Sequence, residues 1–314
     1  LDRLLEEPRI AIDGISGTSA GAMNAAVLAD GYAAGGATGG PESARAALES
    51  FWRRVSDAAR LSPLQRTPMD MLLGRWSLDF SPAFVAMDLA SRLFSPYDLN
   101  PGAFNPLRDI LAASIDFERL AASPVKVFVT ATNCRTGRPR VFRNPDMSPD
   151  ALLASACLPT MFQAIEIDGE AYWDGGYSGN PTISPLVREC GAHDTILVQI
   201  NPVERPATPR SARDILSRVN EISFNAPLLK ELRMIAVLRQ VADPGRCEGR
   251  LWAEMRLHRI ASDKMTELGY SSKLNAEWSF LTMLRDEGRA QAQSFLDRHG
   301  GDLGQRASFD LDYL

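Results

Sequence analysis

Apolar positions recur along the chain in two alternating rhythms. Residues 125–132 (VKVFVTAT) and 194–200 (DTILVQI) are near-continuous apolar runs rich in β-branched residues, as in strands buried on both faces. Residues 9–13 (RIAID), 139–143 and 254–261 read as further strands, and 163–173 as a hairpin turning at Asp168-Gly169. Helical spacing marks 1–7, 19–34, 41–58, 149–157, 181–190, 211–240 and 275–298. Strands alternate with helices, so the expected class is α/β with a mainly parallel central sheet flanked by helices. The stretch 31–40 (GYAAGGATGG) reads as a flexible surface turn. It follows a helix and lacks both a GxGxxG pattern and a GK[ST] ending, which argues against a phosphate loop.

Residues 61–106 break both rhythms. They are rich in Met, Leu, Phe and Trp, yet Pro63, Pro68, Pro82, Pro96, Pro101 and Pro106 interrupt them, which predicts short helices joined by turns. No repeat or linker divides the chain. One domain over 1–314 is expected, with this insert at about 61–106 and a helical C-terminal region at about 205–314. The chain opens at Leu1, and LDRLLEE reads as the end of an amphipathic helix, so further residues are expected upstream.

Composition narrows the function. The net charge is −5 with no run of Lys and Arg, which argues against a nucleic-acid partner and against simple adsorption to anionic membranes. No stretch of about 18 apolar residues is present to span a bilayer. Cys134, Cys157, Cys190 and Cys247 are scattered and read as reduced, buried small residues. His193, His258 and His299 form no ligand cluster, and no metal site is expected.

Gly17-Thr18-Ser19-Ala20-Gly21 is a G-x-S-x-G motif between an expected strand and an expected helix. Such a turn strains the serine backbone and needs small neighbours, and it sets the serine at a helix N-terminus that favours a developing anion. The bland alternative is a helix N-cap. Ser16 lacks the second glycine. A serine nucleophile needs a proton acceptor. His193 stands before a strand, away from the C-terminal strand ends where α/β sites lie; His258 sits within a strand and His299 at a helix end. Asp174 follows a strand and precedes Gly175-Gly176, which would let a second chain segment pass close by; an ordinary Asp-Gly turn is the alternative.

These residues resemble the patatin-like phospholipase family of the bacterial type. The resemblance rests on Gly17 to Gly21 with Ala22, Met23 and Asn24 after it, on Asp174-Gly175-Gly176, and on VTATN (129–133), SACLPTMF (155–162) and DGGYSGNP (174–181). It covers roughly residues 1–200. It implies a three-layer hydrolase fold and a Ser19–Asp174 dyad that cleaves lipid-like esters through an acyl-enzyme, with no histidine, metal or cofactor. It also implies a Gly-rich oxyanion loop, whose place would be just upstream of Leu1. On this reading the insert forms a helical cap, and Met69, Leu73, Trp76, Phe80 and Phe84 are candidates for lining an acyl pocket; plain helix packing is the competing account. The implied partner is a lipid or acyl ester, with room for contact at a membrane surface, and the expected compartment is the cytoplasm. The rival readings are a catalytically idle lipid-binding or scaffold protein of this fold, and a thioesterase or peptidase using the same elbow.

Overall fold

The computed structural model describes residues 1–241, 243 and 247–311, without the side chains of Arg213, Cys247 and Tyr270. The first part runs α1 (Asp2–Leu5), β1 (Gly14–Gly17), α2 (Ala20–Ala59), α3 (Pro68–Leu72), α4 (Pro82–Leu93), α5 (Pro96–Leu99), α6 (Leu107–Ser114) and α7 (Phe117–Ala121). There follow β2 (Lys126–Asn133), β3 (Pro139–Phe142), α8 (Pro149–Ser155), β4 (Ile165–Ile167), β5 (Glu170–Asp174) and α9 (Ser184–Glu189). The last part is β6 (Asp194–Gln199), α10 (Ala212–Val241), α11 (Cys247–Glu254), β7 (Arg256–Ala261) and α12 (Trp278–His299).

The arrangement is a three-layer α/β fold. Its main sheet is mixed rather than mainly parallel. Strands run in the order β1-β2-β5-β4, with β3 also paired to β2. Only β1 and β2 are parallel there; β2–β3, β2–β5 and β4–β5 are antiparallel. Connection length explains this. Long helical segments separate β1 from β2, whereas β2–β3 and β4–β5 are joined by tight turns that can only reverse the chain. The second of these turns has Asp168 and Gly169 both at positive φ, as the hairpin reading requires. β6 and β7 form a separate parallel pair. β6 is not buried on both faces, since Val198 is half exposed and Ile200 beyond it more so.

Two local expectations shift. The first strand lies at 14–17, not 9–13. Glycine and serine have weak strand propensity, so the pattern pointed upstream, but pairing of Gly14–Gly17 with Lys126–Val129 decides the position. The stretch 31–40 is mostly helical. The break is confined to Gly36, at φ 62° and ψ −160°, and the second arm runs on from there through Pro41. The arms pack closely: a Cβ on Gly31 would stand 2.7 Å from Ala47.

Val127, Phe128, Val129, Thr130 and Ala131 of β2 are sealed. Ala22, Ala25, Ala26 and Ala29 of α2 are also sealed, and their small side chains let the helix lie close in the core it shares with β2 and α8. A second core joins α9, α10, α11 and the β6–β7 pair, and a third joins α1, β7 and α12. Among the described residues no helix is long and apolar enough to cross a membrane, and no His, Cys, Asp and Glu group could hold a metal. Cys157 is buried, but Cys134 and Cys190 are only half buried; all three are free thiols, and the Cys247 side chain lies outside the described residues. Burial pushes the Cys157 thiol up to about 12, which leaves it unreactive.

Candidate functional site

The segment Gly17 to Gly21 joins β1 directly to α2. Ser19 has φ 56° and ψ −122°, a conformation L-residues rarely adopt. The small flanking residues have a visible reason: a Cβ on Gly17 would stand 2.2 Å from the Gly21 carbonyl oxygen. Ser19 does not cap the helix with its side chain, so the bland N-cap role fails and the hydroxyl is left for other partners. Thr18 is buried and donates to the Gly179 carbonyl at 2.7 Å. Ala20, the first helical residue, is exposed, and its N–H belongs to the helix-start donors that have no intrahelical acceptor.

Asp174 ends β5 and is fully buried. Its N–H donates to the Cys157 carbonyl at 2.8 Å, and its carbonyl accepts from Thr132 Oγ1 at 2.8 Å. Carboxylate Oδ1 accepts from the Gly176 N–H at 2.7 Å. Oδ2 is buried without a partner in strict hydrogen-bond geometry. The Ser19 hydroxyl is near enough to this carboxyl group to favour its ionised form. Burial pushes the Asp174 pKa up to about 6, against the opposing pull of the Gly176 N–H, the Ser19 hydroxyl and the Lys273 charge. The two glycines behind it are needed for space. A Cβ on Gly175 would stand 2.0 Å from the Thr130 carbonyl oxygen, and one on Gly176 2.2 Å from the Phe224 ring.

Supporting residues lie within the family-like stretches 155–162 and 174–181, where the sequence assigned them no role of their own. Ser155 is sealed at the end of α8; its Oγ accepts from the Ser19 N–H at 3.0 Å and donates to the Thr130 carbonyl at 2.7 Å. It thereby ties the elbow to β2. Ser178 Oγ pairs with Thr132 Oγ1 at 2.7 Å below Asp174. Ser16 donates to the Thr182 carbonyl at 2.6 Å, a structural role.

The histidines stay out of this site. His193 is exposed and 3.7 Å from Glu254. His299 pairs with Asp302. His258 lies between Ser308 at 2.8 Å and Asp194 at 3.1 Å, a serine–histidine–aspartate set in outline. The imidazole is fully buried, however, and Asp194 is held well below the usual carboxylate range by Arg256 and the Gly304 N–H despite its burial. That set anchors the C-terminal segment to β7.

The pocket candidates do not form one lining. Phe84 is buried, and Trp76 is half buried, stacked on Phe280 at 5.3 Å and under Arg66. Met69, Leu73 and Phe80 are each more than half exposed. Plain core packing does not describe the insert as a whole either, since Leu72, Leu89, Leu93, Phe94 and Phe104 also face outward. The insert is nonetheless anchored near the site: Gln163, shortly after α8, donates to the Asn100 carbonyl at 2.7 Å.

The sequence profile of the patatin-like phospholipase family matches residues 1–187, more than half of the chain. The chain belongs to the patatin-like phospholipase family. Both candidate residues lie within the matched part. Family membership supports lipid acyl hydrolase activity in general, with lipids as substrates. No curated protein matches the chain closely enough to be reported as a relative. The C-terminal elements α10, α11, β7 and α12 lie beyond the match.

Proposed function

We propose that this patatin-like protein hydrolyses carboxylic esters of lipids through an acyl-enzyme, with Ser19 as nucleophile and Asp174 as the general base. One observation carries the reading: a strained serine at a strand-to-helix turn faces a sealed carboxyl group whose second oxygen is uncommitted.

The chemistry follows from that arrangement. With a pKa near 6, Asp174 is mostly ionised at neutral pH yet basic enough to accept a proton. As Ser19 Oγ bonds to the ester carbonyl carbon, its proton passes to Asp174. The carbonyl oxygen becomes an oxyanion at the start of α2, where the Ala20 N–H and the helix dipole favour negative charge. Collapse breaks the bond to the alcohol, which leaves with the proton from Asp174. Asp174 then takes a proton from water, the hydroxide adds to the acyl carbon, and the fatty acid departs as Ser19 regains its proton. The outward apolar side chains of the insert supply a surface for acyl chains or a lipid layer.

The test is hydrolysis of p-nitrophenyl esters of short and long acyl chains by wild type and Ser19→Ala. The substitution should lower kcat by about 10³-fold or more. Equal activity in the two proteins would remove Ser19 from the mechanism, and silence in both would favour a lipid-binding scaffold.

A further inference from the structure

The long helix α10 lies beyond residues 1–187 of the family match, yet one of its side chains reaches the candidate base. Phe224 presses on Gly176: a Cβ built there would stand 2.2 Å from the Phe224 ring and 3.0 Å from Asp174 Oδ1. The ring fills that space and leaves no room for a water molecule beside the carboxylate. Two neighbours in the same segment grip the same residue. Tyr177 packs on the ring at 5.0 Å between centres, and Asn180 Nδ2 donates to the Phe224 carbonyl at 3.0 Å. Gly176, Tyr177 and Asn180 thus converge on one residue of α10.

The helix has other anchors. Leu228, Leu232 and Ile235, further along it, are sealed in the second core, and buried Asn225 donates to the Pro202 carbonyl at 2.9 Å. Phe224 belongs to none of the three cores and is only half buried. With one side on Gly176 and another in solvent, it stands between water and the fully buried Asp174. Burial is the largest influence on the Asp174 charge, and it favours the protonated form. The Gly176 N–H and the Ser19 hydroxyl favour the ionised form, as does the Lys273 ammonium, which lies in the turn Tyr270–Leu274 and 5.6 Å from the centre of the Phe224 ring. The Cys157 thiol also lies near enough to interact, and its own burial keeps it neutral. On α10 itself Glu221, three residues before Phe224, is tied to Arg205 and Arg218.

We propose that Phe224 is a positioning residue for the candidate reaction: its ring shuts water away from Asp174, so that α10 completes a site whose nucleophile and base both lie in the family-matched part. This rests on the acyl-hydrolase reading and deepens it by naming what sets the strength of the base. Opening the cover hydrates the carboxylate, favours its ionised form and weakens it as a base. The same water would screen Lys273 and weaken its pull, but burial is the larger influence, so the net movement is toward the ordinary carboxylate range.

The experiment measures kcat/KM on p-nitrophenyl butyrate from about pH 4.5 to 8 for wild type, Phe224→Ala, Phe224→Gln and Phe224→Leu. Phe224→Ala opens the cover, Phe224→Gln keeps most of its volume but is polar, and Phe224→Leu keeps it apolar. The acid midpoint should fall by about one pH unit or more in the first two and stay near 6 in the third. A merely structural role would lower kcat/KM equally at every pH. An unmoved midpoint in Phe224→Ala and Phe224→Gln overturns the proposal, as does a shift in Phe224→Leu equal to that in Phe224→Ala. If Phe224→Ala fails to accumulate, Phe224→Gln against Phe224→Leu decides. A second readout needs no turnover. The difference in urea midpoint between an Asp174→Asn protein and its parent changes with pH, because the stability carried by the protonated Asp174 is lost as pH rises through about 6. A lower folded value leaves less to lose, so between about pH 4 and 8 this change should be about half as large in the Phe224→Gln background as in wild type. An equal change in both backgrounds overturns the proposal. A halved change in a protein that hydrolyses no ester upholds the cover while the hydrolase reading fails.

Discussion

Asp174→Asn separates catalysis from stability, and the two should move in opposite directions. Burial raises the Asp174 pKa from its ordinary 3.8 to about 6. The folded state therefore holds this proton more tightly than the unfolded chain does. The associated stability is fully present below the unfolded value of 3.8 and is lost as pH rises through about 6. At 1.36 kcal/mol per pH unit, ionising Asp174 in its folded site costs about 3 kcal/mol by neutral pH. Asparagine keeps an oxygen to accept the Gly176 N–H and carries no charge. Its new NH₂ group adds a roughly pH-independent offset, so the slope with pH is the quantity to read. Urea midpoints of wild type and Asp174→Asn are measured from about pH 4 to pH 8. The variant should gain about 2 kcal/mol relative to wild type across that range, with ester hydrolysis lost throughout. In wild type kcat/KM should fall on the acid side with a midpoint near 6, since only the ionised carboxylate accepts the Ser19 proton. A stability difference that stays flat from pH 4 to pH 8 would refute the buried-carboxylate argument. An active Asp174→Asn enzyme with the same acid limb would refute the base assignment.

Three further outcomes follow from named contacts. Ser155→Ala strands the Ser19 N–H and the Thr130 carbonyl, and should cost about 1–3 kcal/mol in thermal or urea unfolding and lower kcat on p-nitrophenyl butyrate; wild-type values in both would remove Ser155 as a positioning residue. Gly175→Ala drives a Cβ into the Thr130 carbonyl, so Tm should drop by several degrees or the protein should fail to accumulate, and a wild-type Tm would contradict the close approach. Phe80→Ser and Trp76→Ser should differ. The exposed Phe80 should affect only the preference for long over short acyl esters, whereas Trp76, stacked on Phe280, should lower Tm; the same effect from both would dissolve the distinction.

Much of the candidate site was legible before any coordinates. G-x-S-x-G around Ser19 and D-G-G at Asp174 are local signals, because the tight turn at Gly17 and the close approaches at Gly175 and Gly176 leave no room for a Cβ. The apolar run of β2, the late strand that is β7, the Asp168-Gly169 hairpin and the long helices α10 and α12 were equally local, each written in composition, turn residues or a 3.6-residue spacing. Other features depended on partners distant in the chain. The position of β1 follows from pairing with residues more than a hundred positions away, and the mixed sheet from which strands meet once the hairpins close. Ser155 gains its role only where α8 ends beside Ser19. The outward face of the insert was hidden for a related reason, since an apolar segment reads alike whether it turns inward or out. Local backbone and packing constraints determine which residues a turn or strand will accept, and the sequence records them directly; pKa shifts, long-range hydrogen bonds and surface exposure are properties of neighbours, which only the tertiary structure supplies.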